Sequence, residues 1–182
     1  MGMPREIWLK EMLDYVIGDN YPHPERVLNA CEEPIKQYLH HELFDSESGP
    51  FDIFTVEGGT AGIVYTFNSL FNNALLEKGD TIALLIPTFA PYMEIPELPE
   101  YGFNVEYIRS ELMNIDGHTS YQFSKKELDR LRNPEIKAVF VVNPSNPTAN
   151  AIYGDSIDQL IDIAEQDNPE LMILSDDVYG TF

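Results

Sequence analysis

Three short stretches of this 182-residue chain carry groups that could do chemistry. The first is Ser175-Asp176-Asp177-Val178-Tyr179, which follows the apolar run Leu171-Met172-Ile173-Leu174. Two adjacent carboxylates at a strand end can act as a base, hold a cation, or cap the next helix. The second is Glu57-Gly58-Gly59-Thr60-Ala61. A glycine pair ahead of a helix lets the backbone approach a ligand and aims the first N–H groups at it, which suits a phosphate. A plain tight turn has the same composition. The stretch lacks the later glycine of the dinucleotide fingerprint and the Lys-Ser/Thr of a Walker loop. The third is Asn143-Pro144-Ser145-Asn146-Pro147-Thr148. Two Asn-Pro steps make an over-determined turn, and a cis bond at one of them would aim an Asn amide inward. A rigid turn with no ligand remains open for this stretch.

Each stretch needs an element to position it. Thr81 to Ile86 reads as a strand buried on both faces, because its apolar residues do not alternate with polar ones, Ala138 to Val142 reads as a buried strand, and Leu171 to Leu174 as the last strand. Phe51 to Val56 and Asn104 to Ile108 read as further strands. Thr60 to Leu76 places Ile63, Val64, Phe67, Leu70, Phe71 and Leu75 at helical spacing. Ser156 to Gln166 is a helix, and Ser124 with Glu127 makes a capping box for a short one. Before the first strand, residues 6–17 and Glu25 to Leu43 read as helices, with Pro34 expected to kink or break the second. Strands alternating with helices from about residue 51 onward imply right-handed crossovers and a three-layer α/β/α fold with a mainly parallel sheet. In such sheets ligands bind beyond the carboxyl ends of the strands. Phe89 and Tyr92 follow the strand end at Ile86, where aromatics serve either as core or as a platform for a flat ligand.

Composition narrows the partners. Thirty-one acidic residues against 11 basic give a formal charge of −20. The summed field would repel phosphate backbones and anionic lipid, so neither nucleic acid nor a membrane is expected as partner. A single cysteine, Cys31, allows no internal disulfide and fits a reducing, cytoplasmic compartment. The four histidines show no metal-ligand spacing, so no metal is expected. Met1 to Glu6 has no apolar core of a signal peptide. No apolar run approaches the roughly 18 residues of a membrane span.

Taken together, the Gly-Thr loop, the aromatic after a proline, the Asn-Pro-Thr and the Asp-x-x-Tyr resemble the fold-type I, aspartate-aminotransferase-like family of pyridoxal phosphate enzymes. Longer strings are similar to the aspartate 4-decarboxylase branch of that family. They are Phe54 to Ala61, Glu94-Ile95-Pro96-Glu97-Leu98, Val142 to Pro147, and Leu171 to Phe182. The resemblance begins near Tyr21, so residues 1–20 stand as an N-terminal segment. Residues 21–182 then correspond to the N-terminal part of the cofactor-binding large domain.

The resemblance implies pyridoxal 5′-phosphate as cofactor. It implies that the N–H groups of Gly59, Thr60 and Ala61 hold the phosphate, and that Phe89 stacks on the pyridine ring. Asn146 and Tyr179 would bond the ring's phenolic oxygen, with Asn146–Pro147 a candidate cis bond. Asp176 would pair with the ring nitrogen and keep it protonated. Tyr21 would reach the phosphate in the partner subunit's site, which implies a homodimer or a higher homo-oligomer. In the decarboxylase branch, L-aspartate becomes L-alanine and CO2, with aminotransferase activity as a side reaction. The family's Schiff-base lysine and its carboxylate-binding arginine are expected beyond Phe182, so the chain as it stands is expected to hold no catalytic residue and not to turn over. Ala149 stands where many relatives have glycine. Two alternatives remain: an aminotransferase acting on amino acids, and a non-catalytic module of the same fold. For a module fused to a DNA-binding regulator, Met1 to Ile17 is short and acidic.

Overall fold

Two apolar strands set the architecture. Thr81–Ile86 (β1) and Ile136–Val142 (β4) pair in parallel at the centre of a five-stranded sheet. The computed structural model describes residues 4–7, 9–10, 29–42 and 49–180. The sheet order is β3-β2-β1-β4-β5, with β2 spanning Asn104–Ile115, β3 His118–Phe123 and β5 Met172–Asp176. β1, β2, β4 and β5 run parallel, and β3 is antiparallel to β2. This is the mainly parallel α/β sheet that the alternating elements imply.

Alternation along each strand feeds two cores. Ile82, Leu84, Ala138, Phe140 and Val142 face one side, where Phe67 from helix α2 (Gly59–Asn72) stacks on Phe140 at 4.6 Å. The short helix α3 (Ala90–Glu94) adds Tyr92 to that layer. Ala83, Leu85, Val139 and Val141 face the other side, against Leu128 of α4 (Lys125–Leu128) and Leu160 of α5 (Gly154–Asp162). Both central strands are therefore sandwiched, which is why their sequences read as continuous apolar runs. Helix α5 continues as a π-helical turn over Ile163–Asp167.

The chain divides after Glu57 into two compact units. The sheet and its helices belong to the second. The first holds α1 (Asn29–Glu42), in which Lys36 bonds Glu32 one turn back at 2.6 Å. Pro34 neither ends nor splits α1, which runs unbroken through it.

Three further expectations are corrected. Phe51 to Val56 forms no strand: Phe54 is 66% exposed, and no strand pairs with the segment among the described residues. β2 does not stop at Ile108 but runs on to Ile115 and returns as β3. Asp116 and Gly117 turn that hairpin with φ of 53° and 84°, the left-handed pair that a two-residue hairpin turn requires. The capping box is not formed, since Ser124 makes no side-chain cap bond. Glu127 instead accepts from the Arg109 N–H at 2.9 Å and from Arg130 at 3.0 Å, which holds its carboxyl below the usual range. No helix among the described residues is long and apolar enough to cross a membrane.

Candidate cofactor site

The loops after β1, β4 and β5 leave the sheet at the same edge, because those strands are parallel neighbours. Val142 and Asp176 are register partners at the ends of β4 and β5. Just beyond, the Asn143 N–H donates to the Asp176 carbonyl at 3.0 Å. The Asn-Pro loop and the Asp-x-x-Tyr thus start side by side.

Asp176 is half-buried and its carboxylate is held on both oxygens. Oδ2 accepts from the Tyr92 hydroxyl at 2.9 Å, and Oδ1 accepts from the Val178 N–H at 3.2 Å. Tyr92 is 8% exposed. Burial, then the negative charge and hydrogen bond of Asp176, push its phenol above its ordinary value near 10. The phenol therefore stays protonated at neutral pH and acts as a donor. Each carboxylate oxygen carries two lone pairs, so acceptor capacity remains for a cationic N–H.

Asp176, Tyr92 and Asp177 line a cavity of about 440 Å³ together with Gly59, Gly62 and Thr66 of α2. Gly58, the residue before α2, has φ 127° and makes no side-chain cap. That conformation favours glycine. The Gly62 N–H donates to the Gly58 carbonyl at 3.0 Å, so the helical ladder begins there. The N–H groups of Gly59, Thr60 and Ala61 precede it and have no intrahelical acceptors. A Cβ on Gly59 would meet no atom within 4 Å, so the approach to these donors is open. Thr60 is exposed and Ala61 half-buried.

Asn146 and Tyr179 line a second cavity of about 350 Å³, with Pro144, Ser145, Pro147 and Ala149. The Asn143–Pro144 and Asn146–Pro147 bonds are both cis, as is Ile86–Pro87. The loop is closed on itself. Ser145 N–H donates to Asn150 at 2.9 Å, Ala149 N–H donates to Ser145 at 2.8 Å, and the Ser145 and Thr148 hydroxyls bond one another.

The structure thus brings Gly59 onto one cavity with Asp176, and Asn146 onto another with Tyr179. Phe89 lines neither cavity; it is half-buried against the Phe67 and Phe140 cluster. Tyr92, three residues later, faces Asp176 instead. Tyr21 lies outside the described residues, as does most of the helix expected over residues 6–17. Tyr92 stands out in the sequence by its place after a strand end, but its bond to Asp176 does not. Gln122, which is 4% exposed and bonds the backbone on the far side of the Asn146 loop, carried no such signal. Among the described residues no group of three or more His, Cys, Asp or Glu is placed to hold a metal ion.

The residues present fit a phosphate-bearing aromatic cation. The helix start offers open N–H donors, the strand end offers an anchored anion, and the Asn-Pro loop offers an amide and a phenol.

Comparisons with known proteins bear on this geometry. The bifunctional aspartate aminotransferase and L-aspartate beta-decarboxylase of Pseudomonas sp is 40% identical over the whole chain, which covers 34% of that relative. The aspartate aminotransferase of Sulfolobus acidocaldarius is 30% identical over 59% of the chain and 25% of its own length. The chain therefore spans about a third or less of the length of these relatives. Among solved structures, N-succinyldiaminopimelate aminotransferase from Mycobacterium tuberculosis superposes with a TM-score of 0.70 at 18% identity, over 96% of this chain and 42% of its own. Alanine aminotransferase from Pyrococcus furiosus gives 0.68 at 20% identity, over 98% of this chain and 42% of its own. These two share the fold. The family model for aminotransferase class I and II matches residues 21–182. The chain belongs to that family.

Proposed function

We propose that this chain supplies the phosphate, ring-nitrogen and phenolate contacts of a pyridoxal 5′-phosphate enzyme acting on L-aspartate, with β-decarboxylation as its principal reaction. The cofactor is that of the family. The observation that carries the reading is Asp176, a carboxylate anchored by Tyr92 at a strand end on the same cavity as the open start of α2. Gly59, Thr60 and Ala61 bind the phosphate through their N–H groups. Asp176 holds a proton on the ring nitrogen by pairing with it. Asn146 and Tyr179 bond the phenolic oxygen from the loop side. Phe89 packs the loop after β1 against the Phe67 and Phe140 cluster. Bound in this way, the cofactor supplies an electron sink for a substrate carbanion.

Neither cavity is lined by a lysine, so this chain holds the cofactor by non-covalent contacts. Tyr21 of the partner subunit completes the phosphate site in a homodimer. Aspartate as substrate rests on the 40% identity to the bifunctional relative. Titration of the chain with pyridoxal phosphate, followed by absorbance, tests the cofactor half; no saturable binding would refute it. The substrate half is tested on a protein that joins this chain to the remainder its longer relatives carry, incubated with L-aspartate and the cofactor, with CO2 and keto acid measured separately. CO2 with alanine supports the decarboxylase. Keto acid alone supports the plain aminotransferase, which the similarity to the Sulfolobus acidocaldarius enzyme favours.

A further inference from the structure

The Asn-Pro loop is held from outside by one side chain. Gln122 lies on β3, in the hairpin arm, and is 4% exposed. Its Nε2 donates to the Ala151 carbonyl at 2.8 Å and to the Ser120 hydroxyl at 3.2 Å. Its Oε1 accepts from the Tyr153 N–H at 2.9 Å. The two backbone groups are a carbonyl and an N–H two residues apart, the pair that a neighbouring strand would engage. The partners also fix the amide's orientation, since a flipped amide would set oxygen against carbonyl and NH2 against N–H.

Ile152, between those two residues, points its N–H the other way. That N–H donates to Asn143 Oδ1 at 2.9 Å. The returning limb of the loop, residues 151–153, is therefore gripped alternately by Gln122 and by Asn143. Asn143 is in turn bonded through its own N–H to the Asp176 carbonyl at 3.0 Å. Between these grips lie Asn146 and Ala149. Ser156 Oγ donates to the Phe123 carbonyl at 3.3 Å and ties the start of α5 to the same end of β3. A hairpin arm on the far side of the sheet from β5 thus sets the path of the loop that carries Asn146.

We infer that Gln122 is a positioning residue for Asn146: by clamping Ala151 and Tyr153 it fixes the loop so that the Asn146 amide meets the cofactor's phenolic oxygen. The inference rests on the cofactor reading above. Gln122 itself touches neither cavity, so its effect must pass through the loop. Losing it takes the side-chain partner from the Ala151 carbonyl and the Tyr153 N–H, in two part-buried bonds, and the loop gains freedom while β1 and β4 keep their pairing.

The test is a double-mutant cycle on the full chain, read by pyridoxal phosphate affinity and by amide hydrogen exchange without cofactor. In Q122A the Tyr153 amide is expected to exchange at least tenfold faster, with the Leu84 and Phe140 amides unchanged. Affinity is expected to fall about tenfold, as in N146A, and the double variant is expected to match either single one within twofold. If Q122A fails to fold, Q122E replaces it in the cycle; it keeps an acceptor for Tyr153 and loses the donor to Ala151. Losses that multiply in the double variant, or an affinity unchanged in Q122A while N146A weakens it, would overturn the assignment. An N146A affinity equal to the parent's overturns the cofactor reading of this loop, whatever Gln122 does to exchange.

Discussion

The Tyr92 hydroxyl donates to Oδ2 of Asp176 at 2.9 Å, joining the helix after β1 to the end of β5 across 84 residues of sequence. Y92F removes this bond and little else. A hydrogen bond to a charged, half-buried acceptor contributes about 1–2 kcal/mol. Urea denaturation should show a loss of that size. The alkaline limb gives an independent reading. The folded state raises the Tyr92 phenol above its ordinary value near 10, so it binds that proton more tightly than the unfolded chain does. Its contribution is full below pH 10 and is lost as pH rises past 10. Tyr101 is raised by burial too and acts in both proteins, so the comparison is between them. Stability of the parent should fall more steeply above pH 10 than that of Y92F; parallel curves would contradict the assignment.

D176N separates charge from shape. The amide keeps an oxygen for Tyr92 but loses the anion that pairs with a protonated ring nitrogen. Affinity for pyridoxal phosphate should drop tenfold or more, with a change in unfolding free energy of at most about 1 kcal/mol. An absorbance titration and a denaturation curve on the same preparation check both halves.

Borohydride reduction of the chain in the presence of pyridoxal phosphate should leave no adduct on a lysine at the site, because none lines either cavity. Peptide mapping by mass spectrometry decides it. A single, stoichiometric, saturable lysine adduct is the result that would contradict the non-covalent reading.

β5 pairs only with β4 among the described strands. Among the described residues no strand pairs with its far edge, and Ile173 of β5 is 42% exposed. Open edges with apolar side chains promote pairing between molecules. The chain alone should therefore self-associate as concentration rises, and I173E should reduce the mass seen by light scattering. A clean monomer for the parent at high concentration would count against this.

Much of this was legible from the sequence because burial on both faces leaves a plain mark. β1 and β4 appear as apolar runs, β5 keeps an apolar stretch up to Leu174 although Ile173 is exposed, and the candidate residues follow their ends. Phe51 to Val56 is apolar at four of six positions, yet among the described residues no strand lies beside it, and composition alone does not supply a partner. The outer half of β2 went unread for the opposite reason. Ser110, Glu111 and Asn114 make it polar, and only the Asp116-Gly117 turn announces the return strand. Buried amides leave no pattern at all. Asn168 is 1% exposed and donates to the carbonyls of Leu131, Asn133 and Ile136, while in sequence it is one more polar residue ahead of a proline. Gln122 is hidden in the same way.

The strand order also carries an order of assembly. The β2–β3 hairpin closes over a two-residue turn, so it forms from local contacts. β1 joins β2 through one crossover, β5 joins β4 through another, and the β1–β4 pairing, which spans the whole hairpin, is the most distant in sequence. Pairings distant in sequence form slowly because the intervening chain must be ordered first. Pulse-labelled amides of Leu112 and Tyr121 should gain protection before that of Leu174. The bond between Tyr92 and Asp176 then forms only when the β1–β4 pairing brings the two halves of the sheet together.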